Sequence, residues 1–232
     1  MTSVWATALA TALILFNATN AWANEIYITQ SGDDLTMTVV QDGWANEFQF
    51  CATDTSDSNC IDLNGNTPGW SRGHDSDDST VDVSQTGNEN IVRMSHGAGT
   101  NNGNSRKSTV VITGDENSVL NRLVNPSSGG NWGGHKETDI LITGDGNRVI
   151  HDNDSYGEGW ADIDVTGDNN VVDVYQRAMD STATVNVTNA GGPVTATVRQ
   201  LGSSYQDTTG YSTSVTQYCT NANGCSVTVT QN

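Results

Sequence analysis

Apolar and polar residues alternate along this chain in short runs. Ser79, Val81, Val83 and Gln85 fall on one face, followed by Asn90, Val92, Met94 and His96. The same two-part pattern recurs at Ala161, Ile163 and Val165, then Asn170, Val172, Val174 and Gln176. It returns at Ala183, Val185, Val187 and Asn189, then Val194, Ala196, Val198 and Gln200. A period of two is the signature of a β-strand with one buried face. Between the two runs of each unit lies a short stretch rich in Gly, Asp and Asn. These residues tolerate positive φ and bond to their own backbone. Each unit therefore reads strand, tight bend, strand.

The bend glycine aligns the copies. It falls at Gly32, Gly87, Gly114, Gly144 and Gly167, with a degenerate copy at Gly191. Asparagine follows three residues later at Asn90, Asn117, Asn147 and Asn170. Nine residues after the glycine stand Gln41, Gln176 and Gln200, with His96, Leu123 and Asn153 in other copies. The first copy is read as Ile26, Ile28, Gln30, then Leu35, Met37, Val39 and Gln41. The wide gap from Gly32 to Gly87 leaves room for one more copy, placed in the Phe48-to-Leu63 region. A last copy runs from Thr213 through Gln217 to Gln231. Residues 24–232 thus form about eight irregular repeats.

The two strands of a unit can pair as a hairpin or face each other as a β-arch. One unit alone buries too little. About six apolar residues contribute roughly 1.5–3 kcal/mol each, against about 1–2 kcal/mol for every backbone ordered. Stacking the copies buries each row against its neighbours and completes the backbone ladder. The expected fold is all-β, a β-solenoid of stacked strand–bend–strand (β-arch) repeats with two parallel sheets. Gln and Asn at equivalent positions are expected to line up as amide ladders.

Composition agrees with a thin, repeated core. Of 232 residues, 30 are Thr, 25 Asn, 24 Gly and 21 Asp, whereas 34% are hydrophobic. The formal charge of −18 excludes a nucleic-acid binder held by phosphate contacts. Residues 1–23 read as a signal peptide. Ala6 to Phe16 is mostly apolar, and Ala21-Trp22-Ala23 has the small-x-small form of a cleavage site. No other stretch approaches a membrane span. Cys51/Cys60 and Cys219/Cys225 form two local pairs without a CxxC knuckle or clustered His. Disulfides in an oxidising, extracellular or cell-surface compartment fit them better than a metal site.

The residues also carry a family likeness. The pattern S-x5-Q-x-G-x2-N-x-A-x3-Q is the curlin repeat. The third copy resembles it through Ser79, Gln85, Gly87, Asn90, Val92 and His96, and the first through Gln30, Gly32 and Gln41. The sixth matches at Gly167, Asn170 and Gln176, the seventh at Gly191, Ala196 and Gln200. Most copies place Ile, Val or Asn where the first Gln belongs. The resemblance implies a secreted subunit of extracellular curli-type amyloid fibres that build biofilm matrix and mediate adhesion. It further implies self-association, a nucleator subunit and a curli-type secretion channel as partners.

Acidic residues add a second question. Asp33, Asp115, Asp145 and Asp168 share one bend position, and Asp82, Asp139, Asp162 and Asp164 fall on the outward face. Turn chemistry and a solvated face explain them. Stacked carboxylates about 5 Å apart could instead recruit Ca²⁺ at Asp115, Asp145 and Asp168, or respond to acid. Either cation binding or a pH near 4 would then speed assembly. No HExxH, GxSxG, phosphate loop or dinucleotide fingerprint appears, and no catalytic residue is assigned. Two other readings compete with the fibre subunit: a monomeric adhesive or ice- or Ca²⁺-binding solenoid, and a carbohydrate-active β-helix enzyme. Paired Thr-x-Thr occurs at Thr36/Thr38, Thr182/Thr184, Thr195/Thr197 and Thr228/Thr230, but not in the middle copies.

Overall fold

The computed structural model describes residues 11–16, 24–30, 36–52, 79–97, 105–124, 135–189, 192–200, 212–219 and 224–231. Gly32, Asp33, Cys60, Gly191 and the expected cleavage site lie outside these residues, as does 53–63 of the region assigned to the extra copy. The backbones of Gln30, Cys51 and Gln231 belong to described strands.

The described residues form strands and no helix. The strands are β1 (Thr11–Phe16), β2 (Asn24–Gln30), β3 (Thr36–Asp42), β4 (Asn46–Ala52), β5 (Ser79–Thr86), β6 (Met94–Gly97) and β7 (Arg106–Ile112). They continue as β8 (Arg122–Val124), β9 (Lys136–Ile142), β10 (Asp152–Thr166), β11 (Val174–Asn189), β12 (Thr197–Gln200), β13 (Ser212–Cys219) and β14 (Thr228–Gln231). Every pairing is parallel. One ladder runs β1-β3-β5-β7-β9, through the second halves of β10 and β11, to β13. The other runs β2-β4-β6-β8, through the first halves of β10 and β11, to β12 and β14. The protein is a β-solenoid with two parallel sheets. A hairpin would have paired the two strands of a unit antiparallel, and none does.

The corners explain the unequal repeat lengths. Among the described residues one corner is a three-residue bend in five rungs, at 43–45, 87–89, 114–116, 144–146 and 167–169. At the opposite corner the chain either leaves the described residues or runs round without a break. β10 and β11 do the latter, with 15 and 16 residues and, in β10, register shifts near Glu158. In the five rungs with this bend the bend keeps its length, whereas the path round it is longer from Val187 to Val198 and from Gln217 to Val229.

Burial follows the alternation. β7 reads buried, half-buried, buried along its whole length, and β5 nearly so. Val39, Val83, Val110, Ile140, Ile163 and Val185 stack in one register column, none more than 2% exposed. Facing them from the other sheet's side are Val92, Val119, Val149, Val172 and Val194, also buried. The first half of each expected second strand departs from the ladder. Val119, Val149 and Val172 take φ of 56°, 37° and 61°, a region β-branched residues rarely adopt. Regular pairing resumes only at β6, β8, Asp152 of β10 and Val174 of β11.

The structure corrects the phase of the first copy. Gln41 stacks on Gln85, so Thr36–Asp42 is a first strand, not a second. Gln30 stands opposite Ala52 in the other sheet. The bend glycine of this rung is Gly43. Gln41-x-Gly43-x2-Asn46 repeats Gln85-x-Gly87-x2-Asn90, whereas Gly32 has Leu35 at the asparagine position. Phe48 is accordingly the second strand of this rung rather than a separate copy. Seating Asn46 on Asn90 satisfies a buried amide, which the other phase leaves without a stacking partner.

Replacing Ile163 by Ala should lower stability by about 2–5 kcal/mol, because the column leaves the site little room to collapse. Thr184→Ala on the outward face should change it by less than about 0.5 kcal/mol. Urea denaturation of the two variants checks this, and similar losses for both would contradict the assigned faces.

Candidate functional site

The repeated asparagines meet inside the bend. The side-chain Nδ2 of Asn90 donates to Oδ1 of Asn46 at 3.0 Å. Asn117 donates to Asn90 at 2.7 Å, Asn147 to Asn117 at 2.7 Å, Asn170 to Asn147 at 2.6 Å and Asn189 to Asn170 at 2.7 Å. All six side chains are buried. Asn46, Asn90 and Asn170 also donate to the carbonyl of their own bend glycine, three residues back. One amide thus fastens its bend and the rung before it. Asn90, Asn117, Asn147 and Asn170 are the asparagines expected from the repeat. Asn46 was hidden by the wrong phase, and Asn189 enters from the strand two residues before Gly191. Its occurrence as the last inward residue after Val187 was the available signal.

The glutamines behave differently. Gln85 Nε2 donates to Gln41 Oε1 at 2.6 Å, but Ile112, Ile142, Val165 and Val187 continue that column. Gln41, Gln85 and Gln176 each reach a backbone carbonyl six residues on, at Glu47, Ile91 and Thr182. Gln200 accepts from Thr213 Oγ1 at 2.7 Å, and Gln217 sits half-buried in the last rung. A glutamine's role here is to close corners more than to form a long ladder.

A second line of contacts runs outside the bend. Trp44 N donates to Asn88 Oδ1, and Asn88 Nδ2 to Asp115 Oδ2 at 2.8 Å. Asp115 N donates to Asp145 Oδ1, and Asp145 N to Asp168 Oδ1, each at 2.8 Å. These residues all hold positive φ, 64–77° for Asn88 and the three aspartates, where Asn and Asp are tolerated. A Cβ on Gly144 would lie 2.9 Å from Asp168 Oδ1, so that carboxylate can fold over only glycine. Of the stacked carboxylates expected as a Ca²⁺ site, Asp145 and Asp168 act as acceptors for the preceding rung's backbone and Asp115 for the Asn88 side chain. Among the described residues no group of three or more His, Cys, Asp or Glu is placed to hold a metal ion.

Charged side chains also pair from rung to rung. Lys107 Nζ lies 2.5 Å from Glu137 and 3.1 Å from Asp139; these bonds raise the lysine pKa and lower that of Glu137. Arg122 meets Asp152 at 3.0 Å and Arg93 meets Glu47 at 3.0 Å. Partial burial, then the charges of Asp164 and Asp139, hold the Asp162 carboxyl above its ordinary range. Inside the far corner, Arg106 and Lys136 are buried on adjacent rungs. Burial, with the charge of Arg106, pushes the Lys136 amine down to about 8. Their inward positions were legible from the alternation, but polar residue type hid them.

His151 is fully buried, 3.4 Å from Asn121, whose Nδ2 donates to Thr138 Oγ1 at 2.9 Å. Burial lowers its pKa to about 4.

The last rung differs from the others. β13 alternates exposed and half-buried where inner strands alternate half-buried and buried. β13 pairs only with β11, and β14 only with β12. Val215 and Cys219 lean on the core, while Tyr218, Val227 and Val229 are exposed. A disulfide joins Cys219 to Cys225 across its bend, with Cα atoms 6.0 Å apart. The pairing expected for Cys51 and Cys60 lies outside the described residues. No helix among the described residues is long and apolar enough to cross a membrane. The chain matches no protein-family model, no curated protein and no solved structure.

Asn117→Ala removes two ladder bonds and orphans the Asn147 amide, so it should cost about 2–4 kcal/mol in urea denaturation. Asn46→Ala, the first ladder member among the described side chains, removes one described ladder bond and should cost about 1 kcal/mol. Equal small effects would show the ladder to be ornamental.

His151 generates a pH dependence. The unfolded chain takes up a proton near pH 6.5, and the folded chain resists it until about pH 4. Stability is full above pH 6.5 and is lost as pH falls toward 4, by about 3 kcal/mol. Melting curves over this window should flatten in His151→Val, and an unchanged slope would contradict the assignment.

Proposed function

We propose that this chain is a secreted structural subunit that stacks end to end into extracellular, curli-type amyloid fibres serving biofilm matrix and adhesion. The observation that carries the reading is the open last rung. β13 keeps the inward alternation of the core strands, yet its inward face is half-exposed and its outer edge and that of β14 have no strand beside them among the described residues. Unpaired edges are templates for further pairing. A second copy placed there continues both ladders and buries the row again. The curlin-like spacing of bend glycine and asparagine supports the same reading, and the disulfide is compatible with an oxidising compartment. On this reading a nucleating subunit and a curli-type secretion channel are its partners. The role is structural rather than catalytic, since the repeated side chains spend their polar atoms on closing and stacking rungs.

Control by charge is a balance. Acid relieves repulsion in a chain of formal charge −18, and the Asp162 carboxyl, held above its ordinary range, shares in that relief. The same acid charges His151 and opens the rungs that must stack. Assembly should accordingly be fastest at mildly acidic pH, above the range that unfolds the subunit.

One observation favours a monomeric ice-binding reading. The residue before four of the five bends is an exposed threonine, at Thr86, Thr113, Thr143 and Thr166, followed by Thr188 opposite Thr166; Asp42 stands before the other. Incubation of the chain lacking residues 1–23, and with them β1, so that β3 begins its sheet, separates the two. The fibre reading expects sedimenting filaments, a thioflavin response and a meridional reflection at about 4.7–4.8 Å. A persistent monomer that produces thermal hysteresis would replace it with the ice-binding reading.

A further inference from the structure

The asparagine ladder stops one rung short of the end. Asn189 is its last member and donates to Asn170, to the carbonyl of Asp168 and to the carbonyl of Pro193. In the next rung the residue in register with Asn189 is Cys219. That rung has no asparagine three residues after a bend glycine, and Cys219 reaches across the bend to Cys225 instead. The covalent bond therefore stands where the inner rungs place an amide.

The last rung needs such a bond more than the inner ones. An inner rung is held by a neighbour on each side, whereas β13 and β14 stack on one neighbour each. β14 contributes four residues to pairing, and its side chains from Thr228 to Val229 are exposed. The bend before it sits hard on the rung below: a Cβ on Gly224 would lie 2.1 Å from the Gly192 carbonyl oxygen, and Cys219 Sγ is 3.6 Å from the same atom. Few apolar contacts hold this segment, so its closure depends on what joins the two sides of the bend.

We infer that the Cys219–Cys225 disulfide is a redox-sensitive lock that holds β14 on the solenoid and so keeps the terminal docking rung complete. Cys225 is exposed, and a dithiol can attack the bond there through a mixed disulfide. Two electrons and two protons pass to Cys219 and Cys225, giving two thiols, while the dithiol closes to its own disulfide. Once the link is cut, β14 leaves the edge of β12. The terminal face then offers β13 without its companion strand, and a second copy finds half a template. The part concerning the second copy rests on the end-to-end fibre reading; the lock itself does not.

Hydrogen exchange on the full chain tests the lock. It is read by mass spectrometry with and without dithiothreitol, and in Cys219→Ala/Cys225→Ala without reductant. That variant leaves Cys51 and Cys60 untouched. Amides of Thr228–Gln231 should lose about thirtyfold or more of their protection in both cases, while those of Val185–Thr188 keep theirs. Unchanged protection of β14 in the variant would overturn the proposal. Seeded elongation of the same samples should slow by a similar factor. Loss of protection with undiminished elongation would leave the lock standing and remove end-to-end stacking through this rung.

Discussion

A buried side-chain amide must find partners, and in this molecule the ladder asparagines find their full set only when the neighbouring rungs are in place. Asn117 donates down to Asn90 and accepts from Asn147. A slip of the stack by one residue turns the amide outward and leaves its partners in an apolar bend. The valine columns supply more burial, but Val and Ile would tolerate several registers. The asparagines choose among them. They set which glycine makes the bend, hence which strands share a sheet, and hence that Gln41 lies on Gln85.

The same constraint explains why the repeats can be so irregular. Only the bend and the inward positions of its flanks are held by the ladder. The opposite corner carries no comparable series, and it accepts a long spacer, a short one or an uninterrupted strand. Outward positions are freer still, and they hold mixed charges that pair between neighbouring rungs. Lys107 with Glu137 and Arg122 with Asp152 are such pairs, each adding modestly at a solvated surface. Acidic residues at the bend fit this picture as well, because a carboxylate folded over Gly144 serves the backbone of the preceding rung.

Much of this was legible in the sequence. Alternation gave the strands, and the glycine–asparagine spacing gave the bend and four members of the ladder. The fold class follows from those two patterns, because a unit too small to bury itself has to stack. The first copy misled for a physical reason: Gln30-x-Gly32 imitates the start of a bend, and only the missing asparagine at Leu35 betrays it. Asn189 was obscured because it reaches the ladder from the opposite side of its bend. The turned backbone at Val119, Val149 and Val172 left no mark on a pattern of burial that it does not disturb. Buried Arg106 and Lys136 occupy inward positions that hydrophobicity alone assigns to no core.

The open terminal rung and the closed inner ones are two states of one design, differing in whether a neighbour covers them. The proposed function is strand stacking continued between molecules, and it rests on the register that the asparagine ladder fixes within one. The direct measurement is the hydrogen exchange of asparagine side-chain NH₂ groups, followed by NMR on the assigned monomer. The account predicts that the amides of Asn90, Asn117, Asn147 and Asn170 exchange as slowly as the backbone amides of Val110 and Ile163. Exchange at the rate of a solvent-exposed asparagine would contradict it.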